Sequence, residues 1–227
     1  MEIKKSIIFN KINVSKDLTM DKICSELNKK SYNEKVGIGV LNVLNEENII
    51  HIEILVRTPT YISNYDQSLK SISKNVINIY DEVSIDIDLM NGILYSTSSS
   101  ARLNKAKSFL RSIFPQQISF GNIFFTNEKI RGWLDKEDYS YSIMNMTIRM
   151  FKYNEGAFGR FSAIIISQET AEKLIDEYKE EVRNMVMKVE TSSTSPFILQ
   201  YAMQNTITLK CEEADFWTII EFIKRNI

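Results

Sequence analysis

Residues 83–114, VSIDIDLMNGILYSTSSSARLNKAKSFLRSIF, change their hydrophobic period from two to helical within one run. That change limits the chain to folds in which a hairpin passes directly into a helix. Val83, Ile85, Ile87 and Leu89 alternate with Ser84, Asp86 and Asp88, which sets an apolar strand face against a wet, acidic one. Asn91 and Gly92 form the pair that tolerates positive φ at both centres of a type I′ turn, so residues 93–96 are predicted to return antiparallel. Ser98, Ser99 or Ser100 can cap a helix whose Leu103, Ala106, Leu110, Ile113 and Phe114 recur at helical spacing until Pro115.

The rest of the chain is predicted to repeat this kind of unit. A strand at 3–9 precedes a helix capped by Thr19 or Ser15, with Met20, Ile23, Cys24 and Leu27 inward. Strands at 36–44 and 49–56 flank the polar turn 45–48, and Pro59 is expected to end the second of them. Asn64 and Gln67 read as a capping box for a helix to about Tyr80, with Leu69, Ile72, Val76 and Ile79 on one face. Further on come a strand at 118–125 and a short helix at 127–134. A hairpin of 144–152 and 158–166 follows, then a helix capped by Ser167 with Ala171, Leu174, Ile175, Tyr178 and Val182 inward. Strands at 185–190 and 197–209, the latter broken near Gln204, and a closing helix at 214–225 complete the chain. The expected fold is α+β: two similar halves, 1–114 and 115–227, of mostly antiparallel sheet with helices on one face. Matching elements are offset by roughly 100 to 115 residues, which implies a pseudo-twofold internal duplication forming one compact pseudodimeric unit.

Composition excludes several functions. The 28 basic and 29 acidic side chains nearly cancel, so no global charge draws the chain to a polyanion or a membrane surface. The short apolar run at the start, flanked by charges, is expected to be neither signal peptide nor anchor. Cys24 and Cys211 are too few for a disulfide framework or a thiolate zinc site, and a reduced, cytoplasmic chain is expected. His51 is the single histidine, which removes histidine-pair metal sites and two-histidine acid–base schemes. The sequence contains neither a Gly-x-Ser-x-Gly elbow nor a Gly-rich phosphate loop, and no catalytic residue, metal or cofactor is assigned.

Local patterns supply the candidate sites. Asp86 and Asp88, with Glu53, could hold a divalent cation for phosphodiester cleavage, although a solvated strand face explains them as well. Arg102, Lys105, Lys107 and Arg111 give an acid-free helix that could follow a phosphate backbone. Arg149, Lys152, Tyr153, Phe158 and Arg160 interleave basic and aromatic residues on a hairpin, as a single-strand platform requires. Glu169, Glu172, Asp176 and Glu180 offer an acidic helix face to a basic protein partner. The methionine stripes Met144, Met146 and Met150, and Met185 and Met187, read as sheet core.

The ββα unit with its Asn-Gly turn resembles a segment of the recombination-associated RdgC proteins, and the tandem α+β plan is similar to the paired ferredoxin-like domains of CRISPR RNA-processing endonucleases. Neither resemblance carries over a site, and the glycine-rich C-terminal loop of the endonucleases is absent here. The expected function is a non-catalytic intracellular binding protein with a protein partner, as subunit or inhibitor in a microbial or phage nucleic-acid-processing or antiviral-defence system. The alternatives are nucleic-acid binding through the basic helix and hairpin, and a metal-dependent nuclease.

Overall fold

The computed structural model describes residues 1–46, 48–68, 70–137, 139–202 and 204–227. Glu47, Leu69 and Met203, which fall within the expected turn, helix and last strand segment, lie outside them. The fold class is α+β, with eleven strands and five helices among the described residues. Every inter-strand register described is antiparallel. The chain divides into two compact units, Met1–Asn10 with Asn122–Ile227, and Lys11–Gly121. Strand β1 (Glu2–Val14) contributes residues to both.

In the unit Lys11–Gly121, helix α1 (Met20–Asn28) follows Thr19, whose Oγ1 accepts the Lys22 amide at 3.4 Å, as expected of an N-cap. Strands β2 (Ile38–Glu46), β3 (Ile49–Asp66), β4 (Ser71–Asp88) and β5 (Ile93–Ser96) are neighbours in sequence order. Helix α2 (Ser100–Ile113) and strand β6 (Ile118–Asn122) follow. Ile50, Ile52 and Ile54 on β3, and Val83, Ile85 and Ile87 on β4, are fully buried and face Leu103, Ala106 and Leu110 of α2 as the apolar layer. Gly39 lies where the backbone of Tyr32 crosses β2; a Cβ there would stand 2.3 Å from the Tyr32 Cα, so only glycine fits.

Three expectations for this unit are corrected. The described residues of 64–80 form no helix. They are the tip and return strand of a hairpin in which β3 and β4 pair without a break from Ile49↔Asp88 to Asp66↔Ser71. Pro59 does not end β3 but stands opposite Asn78, tolerated because β2 stops pairing at Val56 and leaves the outer edge of β3 without a ladder to satisfy. The type I′ turn is also replaced: four residues join Asp88 to Ile93, and of the Asn-Gly pair only Gly92 has positive φ, at 63°. Asp88 is 4% exposed, not on a wet face, and its carboxylate accepts the Asn91 amide at 3.0 Å and the Asn91 side-chain NH2 at 2.9 Å, closing the loop in the turn's place.

In the other unit, residues 2–8 of β1 pair with β11 (Thr206–Glu212), followed in order by β10 (Phe197–Ala202), β9 (Val182–Glu190), β7 (Ser140–Asn154) and β8 (Ala157–Ile164). Helices α3 (Asn127–Lys136), α4 (Gln168–Tyr178) and α5 (Phe216–Asn226) complete it. Strict alternation on β10 and β11 buries Phe197, Leu199, Tyr201, Ile207, Leu209 and Cys211 on one face. Phe9, Phe125 and Trp133 meet edge to face, with centroids 5.7 and 5.8 Å apart. Met146, Met185 and Met187 are core, as expected, but Met144 and Met150 are exposed. Val182 begins β9 and does not extend α4.

The chain therefore runs β1 α1 β2 β3 β4 β5 α2 and then β6 α3 β7 β8 α4 β9 β10 β11 α5. Without a helix between β3 and β4, the halves do not match element for element in the way expected. Among the described residues no helix is long and apolar enough to cross a membrane.

Candidate functional site

The outer part of the β3–β4 hairpin is the most unusual surface of the Lys11–Gly121 unit. Beyond Arg57↔Tyr80 the two strands continue for nine paired residues, about 30 Å at roughly 3.3 Å per residue. Residues 71–80 are exposed throughout. Cross-strand pairing sorts the side chains: Tyr61 opposes Val76 and Tyr65 opposes Ile72, while Ile62, Ile77 and Ile79 belong to the opposite face. Tyr61 is 71% exposed, Ile72 69%, Tyr65 63% and Val76 56%. Isolated two-stranded ribbons are marginal in water, and exposed apolar patches on this scale mark interaction sites.

A carboxylate anchors the ribbon's root. Glu34 accepts the Tyr32 hydroxyl at 2.6 Å, Arg57 Nη1 at 2.8 Å and the Tyr80 hydroxyl at 3.0 Å. These donors, the Tyr32 hydroxyl foremost, hold the Glu34 pKa below its ordinary value. The same hydrogen bond, then loss of solvent, pushes Tyr32 up to about 12, and Tyr80 is raised by its own bond to Glu34. The Tyr32 phenol is thus expected to ionise near pH 12, and Glu34→Gln to return it toward 10.0; phenolate absorbance with Tyr32→Phe as the blank measures this. Because the folded value lies above the unfolded one, the stability linked to Tyr32 is fully present below pH 10.0 and is lost as pH rises through about 12. Titration of Tyr32 at an ordinary value would show that the Glu34 bond does not form.

Beside this root lies a groove of about 870 Å³ between the end of α1, β2 and α2. Val36, Ile38, Val56, Phe109 and Ile113 give it apolar walls, and Lys29, Lys30, Arg57 and Lys105 line it with positive charge. Its described lining contains no carboxylate, although Lys29 pairs with Glu26 and Arg57 with Glu34 just outside. Lys105 donates to Thr58 Oγ1 at 2.7 Å, so the ribbon face carrying Ile62, Ile77 and Ile79 runs directly into the groove.

The residues singled out from the sequence are distributed differently from the expected clusters. Asp86 is bonded to Nδ1 of His51, its cross-strand neighbour, and Asp88 is committed to Asn91. Among the described residues no group of three or more acids, histidines or cysteines is arranged to hold a metal ion. The basic helix divides: Arg102 pairs with Asp81 and Lys105 turns to the groove, whereas Lys107 is partly buried and Arg111 lies 5.0 Å over the Phe120 ring. Burial, then the charge of Arg111, lowers the Lys107 pKa.

On the hairpin of β7 and β8, Phe151 stacks on Phe161 at 4.3 Å and on Tyr178 at 5.1 Å, forming an internal cluster. Tyr153 covers Gly159 and donates its hydroxyl to the Arg160 carbonyl at 2.9 Å. Lys152 and Phe158 face each other across the ladder. On α4, Glu169 pairs with Lys173 and Glu172 with Arg131, so half of the expected acidic face is already neutralised within the unit; Asp176 remains exposed, as does Glu180, which lies not on α4 but in the 3-10 turn Lys179–Glu181 after it. Sequence reasoning missed the ribbon, the Glu34 cluster and Arg183, which joins Arg149 and Arg160. The alternation of the β-branched Ile77 and Ile79 was the available signal for the ribbon.

No family model matches the chain, and no curated protein matches it. Among solved structures, an Ntf2-like protein involved in plasmid conjugation is similar over 88% of this chain and 90% of its own, at 12% identity and a TM-score of 0.18. A likeness at that score carries no argument.

Proposed function

We propose that this chain is a non-catalytic binding protein that acts through a protein partner gripped by the β3–β4 ribbon and the groove at its root. The observation that carries the reading is the ribbon itself. Its eight large apolar side chains, five on one face and three on the other, together expose on the order of 800 Å², so a partner that wraps both faces meets about what one side of a standard interface buries. Residues 58–80 contain only Asp66, Lys70 and Lys74 as charged groups, so the ribbon attracts by apolar contact. The cationic groove beside it selects a partner segment that combines apolar and acidic residues. In this reading the chain works in the cytoplasm, where Cys24 and Cys211 stay as free thiols, as a subunit or inhibitor in a nucleic-acid-processing or defence system.

A photo-crosslinking residue placed at Tyr61 or Tyr65 in the native host is expected to trap one protein species, and the same residue at Ile166, which is 99% exposed, to trap none. Crosslinks only to other copies of this chain, or equal crosslinking from Ile166, would overturn the reading.

We also infer an internal duplication interrupted by an insertion. With β8 and α4 set aside, the second half reads β6 α3 β7 β9 β10 β11 α5, the β-α-ββββ-α order of the first. Within their own units β2-β3-β4-β5 and β7-β9-β10-β11 are each neighbours in sequence order. Related chains lacking β8 and α4 together are expected; relatives that lose β7 or β9 while keeping β8 would count against it.

A further inference from the structure

We propose that Arg149, Arg160 and Arg183 form a phosphate site for single-stranded nucleic acid, on a different unit from the ribbon and independent of it. Two irregularities in neighbouring strands bring the three together. On β7, Ile148↔Phe161 and Phe151↔Gly159 are paired, so Arg149 and Met150 together oppose Arg160 of β8. On β9, Thr147↔Asn184 and Ile148↔Val182 are paired, which leaves Arg183 as the extra residue. Bulges re-aim side chains and recur beside functional sites, and here both fall at arginines.

The result is a cavity of about 340 Å³ lined by the three arginines with Thr147, Asn184 and Gln204. Glu181 stands 3.8 Å from Arg183, while Arg149 and Arg160 make no ion pair among the described residues. Guanidinium groups stay charged at any ordinary pH, so Arg149 and Arg160 bring to the cavity a positive charge that an anion relieves. Their planar forks suit phosphate oxygens in pairs. The side-chain oxygen of Asn184 is buried without a hydrogen-bond partner, and its amide can turn an NH2 toward an anion.

A neighbouring aromatic favours a nucleic-acid strand over a free phosphate. Phe158 alternates with Arg160 on β8 and so shares its strand face, about 7 Å away. It is 57% exposed, which leaves a ring for a base to stack on, with Lys152 opposite it in the ladder. Tyr153 belongs to the other face, over Gly159, and takes no part.

The test is fluorescence anisotropy of a labelled oligothymidylate on the full chain, repeated with inorganic pyrophosphate as competitor. Arg183→Ala and Arg160→Ala are each expected to weaken oligonucleotide binding at least tenfold, since each removes a hydrogen bond to a charged group. Each is also expected to reduce the salt slope of log affinity by about one. Phe158→Ala should weaken the oligonucleotide while leaving pyrophosphate competition unchanged. Arg160 is exposed, so its variant reads the site even if loss of Arg183 disturbs the bulge. Absence of binding, affinity unchanged in both arginine variants, or binding of pyrophosphate without the oligonucleotide would each overturn the proposal.

Discussion

Replacing residues 61–76 by Asn-Gly, so that Thr60 and Ile77 flank a two-residue turn, is expected to leave the fold intact and to abolish partner binding altogether. The buried half of the hairpin, from Ile50 and Ile87 out to Val56, is untouched by the replacement, and Asn-Gly is the pair that closes such a hairpin. The described residues removed are exposed apart from the half-buried Asp66, and their cross-strand pairs of roughly 0.2–1 kcal/mol each are offset by the backbone entropy lost in ordering them. Urea unfolding should therefore stay cooperative, within about 2 kcal/mol of the parent. The partner, by contrast, loses the apolar surface that the proposal assigns to it. A complex surviving this replacement would remove the ribbon from the function; loss of cooperative unfolding would show that it is structural.

The largest effect on stability is expected at Phe125. It is fully buried, with its ring between Phe9 and Trp133 in two edge-to-face contacts. Phe125→Ala removes both contacts and leaves a cavity, a loss of about 3–5 kcal/mol against a typical total of roughly 5–15. Phe125→Leu keeps most of the volume and should cost clearly less. Trp133 reports the change directly, because it is largely buried and its neighbour has gone, whereas Trp217 is 57% exposed. A shift in urea midpoint below that of Phe125→Leu would mean that the site collapses to fill the void.

Several readings made from single segments agree with the structure. Thr19 caps α1, helix α2 buries Leu103, Ala106 and Leu110, and the strands flanking residues 154–157 pair as a hairpin. The error at 64–80 has a definite cause. Ile72 and Val76 are four residues apart, a spacing that places two side chains on one face of a helix and equally on one face of a strand. Ile77 and Ile79, β-branched and alternating, were the discriminating residues, and they argue for a strand. The capping-box reading of Asn64 and Gln67 outweighed them, although Asn64 sits in the ladder opposite Ser73.

The acidic pair shows the same division. Asp86 and Asp88 alternate on paper, yet one bonds to a histidine 35 positions earlier and the other closes its own loop. The expected basic helix holds four cations within ten residues, but packing sends them to different sides. Arg149 and Arg160 were visible as a hairpin patch; Arg183 was not, because only a bulge in a third strand brings it to them.

The sequence by itself determined the α+β class, the Thr19 cap, and the alternation of strands such as β10 and β11, since each depends on residues within one turn or one pleat of each other; Ser99 and Ser167 precede α2 and α4 but make no side-chain capping bond. Only the tertiary structure decided that 71–80 is an exposed strand, that Glu34 anchors its root, and that three arginines share one cavity. Those outcomes depend on register between strands, which is set by pairing and by bulges between residues distant along the chain.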